Sequence, residues 1–168
     1  MRSAIAVVAC VAVLALVNYS IVGKERQLAS GRIVLIELAP VDPRSLMQGD
    51  YMALRFKMAN EAGAALKLSP RFAVPGARQS ADGHLVASLD AAGIATYRRL
   101  GDGAPPAADE VLLRYRVREG QMKFATNAFF FQEGTANRYQ GARYGEFRVA
   151  PDGELLLTGL RDKDGKPL

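Results

Sequence analysis

Residues 111–118 read VLLRYRVR and residues 122–131 read MKFATNAFFF, with Glu119-Gly120-Gln121 between them. In the first run Val111, Leu113, Tyr115 and Val117 fall on one side of an extended chain, and Arg114, Arg116 and Arg118 on the other. A period of two with one apolar side is the pattern of a strand that buries one face. The intervening glycine makes the two runs a hairpin. The arginine row reads as a solvated face, because long cationic side chains keep their heads in water. Phe129, Phe130 and Phe131 are consecutive, so as strand residues they must point to both faces. Core packing is their expected role, with one ring left to emerge if only one face is covered.

The same pattern recurs on either side. Residues 84–89 and 94–100 flank Asp90-Ala91-Ala92-Gly93, and residues 144–149 and 154–160 flank Pro151-Asp152-Gly153. Both are predicted hairpins. Residues 32–38 (RIVLIEL) are apolar enough for a strand buried on both faces, ended by Ala39-Pro40-Val41-Asp42-Pro43. In residues 51–58, Met52, Leu54, Phe56 and Met58 alternate with Tyr51, Ala53, Arg55 and Lys57, which predicts one continuous strand launched by Gly49-Asp50. Residues 60–68 are alanine-rich and suit a short helix ended by Ser69-Pro70. Residues 75–83 and 102–109 read as loops, and residues 133–141 as a short helix or ordered loop. The sum is a mainly β fold: a small antiparallel β-barrel or sandwich of about eight short strands with one or two short helices.

Residues 4–22 (AIAVVACVAVLALVNYSIV) carry no charge. About 20 such residues span a bilayer core as a helix. Residues 18–24 offer no A-x-A cleavage pattern, and the apolar run continues past Cys10, so an uncleaved signal anchor is expected. The chain then divides into a transmembrane helix (1–23), a juxtamembrane connection (24–31) and one β-rich domain (32–168). At 168 residues there is room for a single domain with a proper core.

Composition removes much chemistry. Cys10 is the only cysteine and lies in the apolar run, which excludes an intramolecular disulfide, a cysteine zinc site and a thiol nucleophile in the domain. His84 is the only histidine, expected on an edge strand at the surface, and it lacks the partners a metal site needs. No glycine loop of phosphate-binding type precedes a helix. The 22 basic and 17 acidic residues give a net charge of +5, without a run that would suit nucleic acid. Neither cofactor nor metal is expected.

The segment 40–56, PVDPRSLMQGDYMALRF, resembles the GDYXXLXY family of bacterial membrane-anchored proteins, named for its own motif. Gly49, Asp50, Tyr51 and Leu54 fit that motif, and Phe56 stands where its final tyrosine would be. The likeness extends to Lys24-Glu25, to Glu133-Gly134, to residues 142–149 (ARYGEFRV) and to Asp152-Gly153. It implies a bacterial inner-membrane protein with a domain of unassigned function, and a multi-pass membrane protein as its partner. The candidate binding residues are accordingly Asp42, Arg44, Gly49, Asp50, Tyr51, Leu54, Glu133, Gly134 and Tyr144. A short basic start at Arg2 followed by the apolar helix resembles a signal anchor, which favours the outer, periplasmic side for the domain. A count of Lys24, Arg26 and Arg32 leans toward a cytoplasmic one.

Leu46-x-x-Gly49-Asp50 also resembles the turn after the nucleophile in signal peptidases and related Ser-Lys hydrolases. Here Val41 or Asp42 holds the serine's place, and Ser45 is too close to the turn, so Lys57 or Lys123 has no hydroxyl to activate. No catalytic residue is assigned. The leading expectation is a non-enzymatic accessory or binding module. The alternatives are a hydrolase-like enzyme using Asp42, Asp50, Glu133 and Glu146, or a ligand-binding barrel.

Overall fold

The computed structural model of the chain describes residues 2–39, 47–48, 51–67, 81–118 and 120–168. Three of its tight loops share one construction. In Asp90 to Ile94, Ala150 to Glu154 and Asp162 to Lys166, the fourth residue is a glycine with φ of +79°, +83° and +75°. Its N–H returns to the carbonyl of the first residue, while the first residue's N–H reaches the carbonyl of the fifth. This is the three-residue hairpin loop: a turn followed by one left-handed residue, which glycine adopts without Cβ strain. Asp90 and Asp162 reinforce their loops by accepting two backbone N–H bonds each at 2.8–2.9 Å.

These loops organise ten strands, numbered in chain order: β1 (Arg32–Glu37), β2 (Met47–Gln48), β3 (Tyr51–Ala53), β4 (Ala81–Leu89), β5 (Ile94–Leu100), β6 (Glu110–Arg118), β7 (Gln121–Lys123), β8 (Ala128–Phe130), β9 (Tyr144–Val149) and β10 (Leu155–Arg161). Three helices join them: α1 (Arg2–Ser30), α2 (Lys57–Lys67) and α3 (Ala136–Tyr139). Seven strands form one sheet in the order β10-β9-β1-β5-β4-β6-β7, and β2-β3-β8 form a second, small one. The large sheet curls into a half-barrel. β7 pairs with β6 only from Arg116 onward, which leaves the outer edge of β6 open at Arg114. The Arg114 N–H donates there to the Gly153 carbonyl of the β9–β10 loop at 2.8 Å. Arg32 Nη1 adds a bond to the Glu110 carbonyl at 3.1 Å.

The core fills the inside of that curl. Val34 and Ile36, Leu85 and Ala87, Leu113 and Tyr115, and Phe147 and Val149 come from alternate positions of β1, β4, β6 and β9. α2 contributes Met58, Ala59, Ala62 and Leu66, one face of a helix, while Lys57, Asn60 and Glu61 stay exposed. Phe56 bridges the two groups, its ring 5.5 Å from that of Phe147 and 5.9 Å from that of Phe124 in edge-on geometry.

α1 does not stop at the end of its uncharged run. The stretch Ile5–Ser30, 26 residues, is long and apolar enough to cross a membrane, and its most apolar part is wholly exposed. Its last turns dock on the domain. Gln27 is the one buried polar side chain among the described residues, and its Nε2 donates to the Arg148 and Glu154 carbonyls at 3.1 and 2.8 Å. Lys24 Nζ meets the Glu154 carboxylate at 2.6 Å. Arg148 Nη1 donates to the Gly31 carbonyl at 3.1 Å, just where the helix ends.

Several sequence expectations need correction. The strand expected over residues 51–58 stops pairing as β3 at Ala53, because the chain changes partners. Leu54 N–H bonds the Asn127 carbonyl, Arg55 accepts from Ala39 N–H, and α2 begins at Lys57. The alternation still holds in burial, since Met52, Leu54, Phe56 and Met58 are all inside. Residues 122–131 are two strands in different sheets, not one. Thr126 exchanges both of its hydroxyl bonds with the backbone of Ala128, and these local bonds compete with the ladder. His84 is not on an edge, because β4 lies between β5 and β6. Residues 81–83 belong to β4 rather than to a loop. Nor is the sheet wholly antiparallel: β1 and β5 run parallel, with Leu35 opposite Ile94.

Candidate functional site

Of the described motif residues, Leu54 and Phe56 are buried and Tyr51 is half-buried. Leu54 and Phe56 are 4% and 3% exposed, and both belong to the core. Phe56 lies between two edge-on rings, so in this chain the position uses an aromatic ring and has no need of a hydroxyl. Tyr51 opens β3 on the small sheet, opposite Gln48 of β2 and Phe130 of β8. Its ring centroid lies 5.8 Å from that of Phe130. Asp42, Arg44, Gly49 and Asp50 lie outside the described residues.

The three-phenylalanine run resolves by the pleat of the strand. Phe129 and Phe131 turn inward, their rings 5.1 and 5.2 Å from that of Tyr139 on α3. Phe130 points the other way and is 74% exposed. It is the most exposed large apolar side chain of the chain outside α1 and its flank, among the described residues. Tyr51 and Phe130 together make an aromatic face on the small sheet.

The remaining candidates have structural employment. Glu133 and Gly134 are the middle residues of a turn closed by Thr135 N–H on the Gln132 carbonyl at 3.1 Å. Gly134 has φ +79°, which the third position of a type II turn requires. Glu133 is exposed and makes no ion pair with any described residue. Tyr144 starts β9, half-buried, between Glu37 of β1 and Arg161 of β10. The structure thus brings Tyr51 to Phe130, with Glu133 on the turn that follows β8 and Tyr144 on β9.

Glu146 is committed elsewhere. It is paired with Arg161, and its Oε1 accepts the Thr158 hydroxyl at 2.7 Å. Burial pushes its pKa up, but the bonds from Thr158 and Arg161 and the charges of Arg161 and Arg148 outweigh it and hold the carboxyl below the usual glutamate value. A folded-state pKa below the unfolded one stabilises the fold at neutral pH, and that contribution disappears as pH falls through the carboxylate range. Glu146→Gln is therefore expected to cost about 1 kcal/mol at pH 7 and progressively less towards pH 3. Urea unfolding at pH 7, 5 and 3 checks this, and a cost independent of pH would contradict it.

Among the described residues, no three acidic, histidine or cysteine side chains gather as a metal site requires. The interior of the half-barrel is occupied by side chains, with Phe124, Phe147, Ile36, Leu85 and Leu113 all fully buried. One extended groove lies along the seam of the half-barrel, between β6 and β10, with a volume of about 690 Å³.

No curated protein and no solved structure matches the chain. The model of the family described as "GDYXXLXY protein" matches residues 13–160, which is most of the sequence, and the chain belongs to that family.

Proposed function

We propose that the chain is a membrane-tethered, non-enzymatic accessory module whose domain, residues 32–168, engages a multi-pass membrane protein. In this reading α1 crosses a bacterial inner membrane once and the domain stands on the periplasmic side. The observation that carries the reading is the docking of α1. Gln27 and Lys24 tie the helix to the β9–β10 hairpin within two turns of the apolar run, so no flexible tether separates span and domain. A domain held at a fixed attitude to the membrane suits a partner that is itself embedded there. The aromatic face of Tyr51 and Phe130 supplies the contact surface, since an exposed aromatic beside a second ring is the kind of anchor interfaces use.

The test is crosslinked recovery of the full-length protein from its native membrane, compared with Phe130→Ser. Phe130 is mostly exposed, so the variant is expected to keep the wild-type melting temperature within about 2 °C. It is expected to lose the membrane-protein partner by about tenfold or more in yield. Equal recovery of one partner by both forms would move the contact away from Phe130. Recovery of none by either form would remove the accessory reading.

A further inference from the structure

The arginine row of β6 does not simply face solvent. Arg114, Arg116 and Arg118 form one wall of the seam groove, and Leu156 with its neighbours on β10 forms another. Phe130 and Lys24 line the same groove. Its charges do not cancel. Arg118 pairs with Asp82 at 2.8 Å and Lys24 with Glu154 at 2.6 Å. Among the described residues Arg116 donates only to a neutral group, the Ala125 carbonyl, at 2.9 Å. Arg114 makes no side-chain hydrogen bond or ion pair to any described residue. In register Arg114 lies opposite His84, and Arg116 lies between Asp82 of β4 and Lys123 of β7, the Asp82 carboxylate being taken up by Arg118. Among the described residues, the Arg114 and Arg116 guanidinium groups thus make no ion pair, beside an apolar wall.

Two forked cations next to leucine and phenylalanine match a ligand that is anionic at one end and apolar at the other. Lys24 says where such a ligand comes from. It lies two residues beyond the uncharged run 4–22, at the level where a spanning helix meets the headgroups, and it lines the groove. We propose that the seam groove seats an anionic phospholipid from the leaflet beside α1. Its phosphate lies on Arg114 and Arg116, and the first methylenes of its chains lie against Leu156 and Phe130. A free phosphate would make no use of the apolar wall, and an acidic protein segment would make no use of the helix beside it. The proposal rests on the membrane placement of α1 proposed above and shares Phe130 with that reading, but it needs no protein partner.

The experiment titrates the full-length protein, in a neutral detergent, with dihexanoyl phosphatidylglycerol and with dihexanoyl phosphatidylcholine, followed by calorimetry. Phosphatidylglycerol is expected to bind saturably, about tenfold or more tighter than phosphatidylcholine. Arg114→Gln with Arg116→Gln is expected to weaken it by about tenfold or more, whereas Arg98→Gln, an exposed arginine on β5 outside the groove, leaves it unchanged. If the double variant no longer unfolds cooperatively, Arg114→Gln alone decides, because its side chain holds nothing else in place. Equal affinity for the two lipids, or equal weakening by Arg98→Gln, would overturn the proposal. Displacement of the lipid by inorganic phosphate at similar concentration would reduce the site to a simple anion site. Tighter binding of a deca-glutamate peptide would assign it to an acidic protein segment instead.

Discussion

Phe147→Ala is expected to lower the unfolding free energy of the protein by about 3–5 kcal/mol, the cost of removing a fully buried aromatic ring without collapse of its surroundings. Phe147 is 0% exposed and sits on β9, between β1 and β10 in the large sheet. Its ring meets Phe56 edge-on, and Phe56 meets Phe124 in the same way, so three distant segments are joined by one chain of rings. Losing the first link also removes an aromatic pair worth about 0.5–1.5 kcal/mol beyond its buried area, already part of that cost. Against a total stability of about 5–15 kcal/mol that is a large share, and the variant would melt on the order of 10 °C lower. Phe56→Ala is expected to match it, and Phe56→Leu, which keeps volume without the ring, to cost less. Thermal unfolding of the full-length protein in detergent measures all three. A loss below about 1 kcal/mol for Phe147→Ala would mean that the ring is not in the core.

What the sequence made legible was local. The hairpins at Asp90 and Ala150 could be read because a glycine shortly after an aspartate, between two strand patterns, leaves a mark within five residues. The third loop of the same construction, Asp162 to Lys166, carries the same mark; it returns the C-terminal residues to β10, where Leu168 N–H bonds the Leu160 carbonyl. The inside and outside of β6 and of residues 51–58 were equally plain, because alternation needs only neighbours. The half-barrel was not legible. Its closure uses the bonds from Arg114 to Gly153 and from Arg32 to Glu110, and its parallel pair joins Leu35 to Ile94. Such contacts are set by how elements stack, and no window of a few residues records them. The end of β3 escaped for the same reason, since residues 54–56 stay extended while their partners change.

The candidate site divides along the same line. Leu54 and Phe56 could be seen as core positions by their spacing, and the final position of the motif keeps its ring because two other rings enclose it. The pairing of Tyr51 with Phe130 could not be seen, since 79 positions separate them and the register of two distant strands leaves no trace in either. The arginine row was visible as a face, but the leucines that turn it into one wall of a groove belong to β10. A solvated face and a binding groove look identical until the opposite wall is known. His84 shows the converse error, a single polar residue taken to mark an edge. β4 is an interior strand of a curled sheet, and His84 lies opposite Arg114 of β6.

Gly153→Ala is expected to test the closure of that sheet, with a cost of about 2–3 kcal/mol. Two penalties contribute. The residue has φ +83°, where an L side chain is strained by about 1–2 kcal/mol. In addition, a Cβ there would lie 3.1 Å from the Leu112 carbonyl oxygen and 3.3 Å from the Arg114 nitrogen, both fixed backbone atoms of β6. Gly165→Ala separates the two, because Gly165 has the same loop and φ +75° but nothing within 4 Å of its Cβ position. It is expected to show the conformational cost alone, so the difference between the variants isolates the seam. Amide exchange gives an independent reading: the Arg114 N–H, which donates to Gly153, is expected to lose protection in Gly153→Ala and keep it in Gly165→Ala. Equal costs for the two variants, with Arg114 protected in both, would show that the β9–β10 loop only rests beside β6, and the half-barrel would then be held by its core and not by its seam.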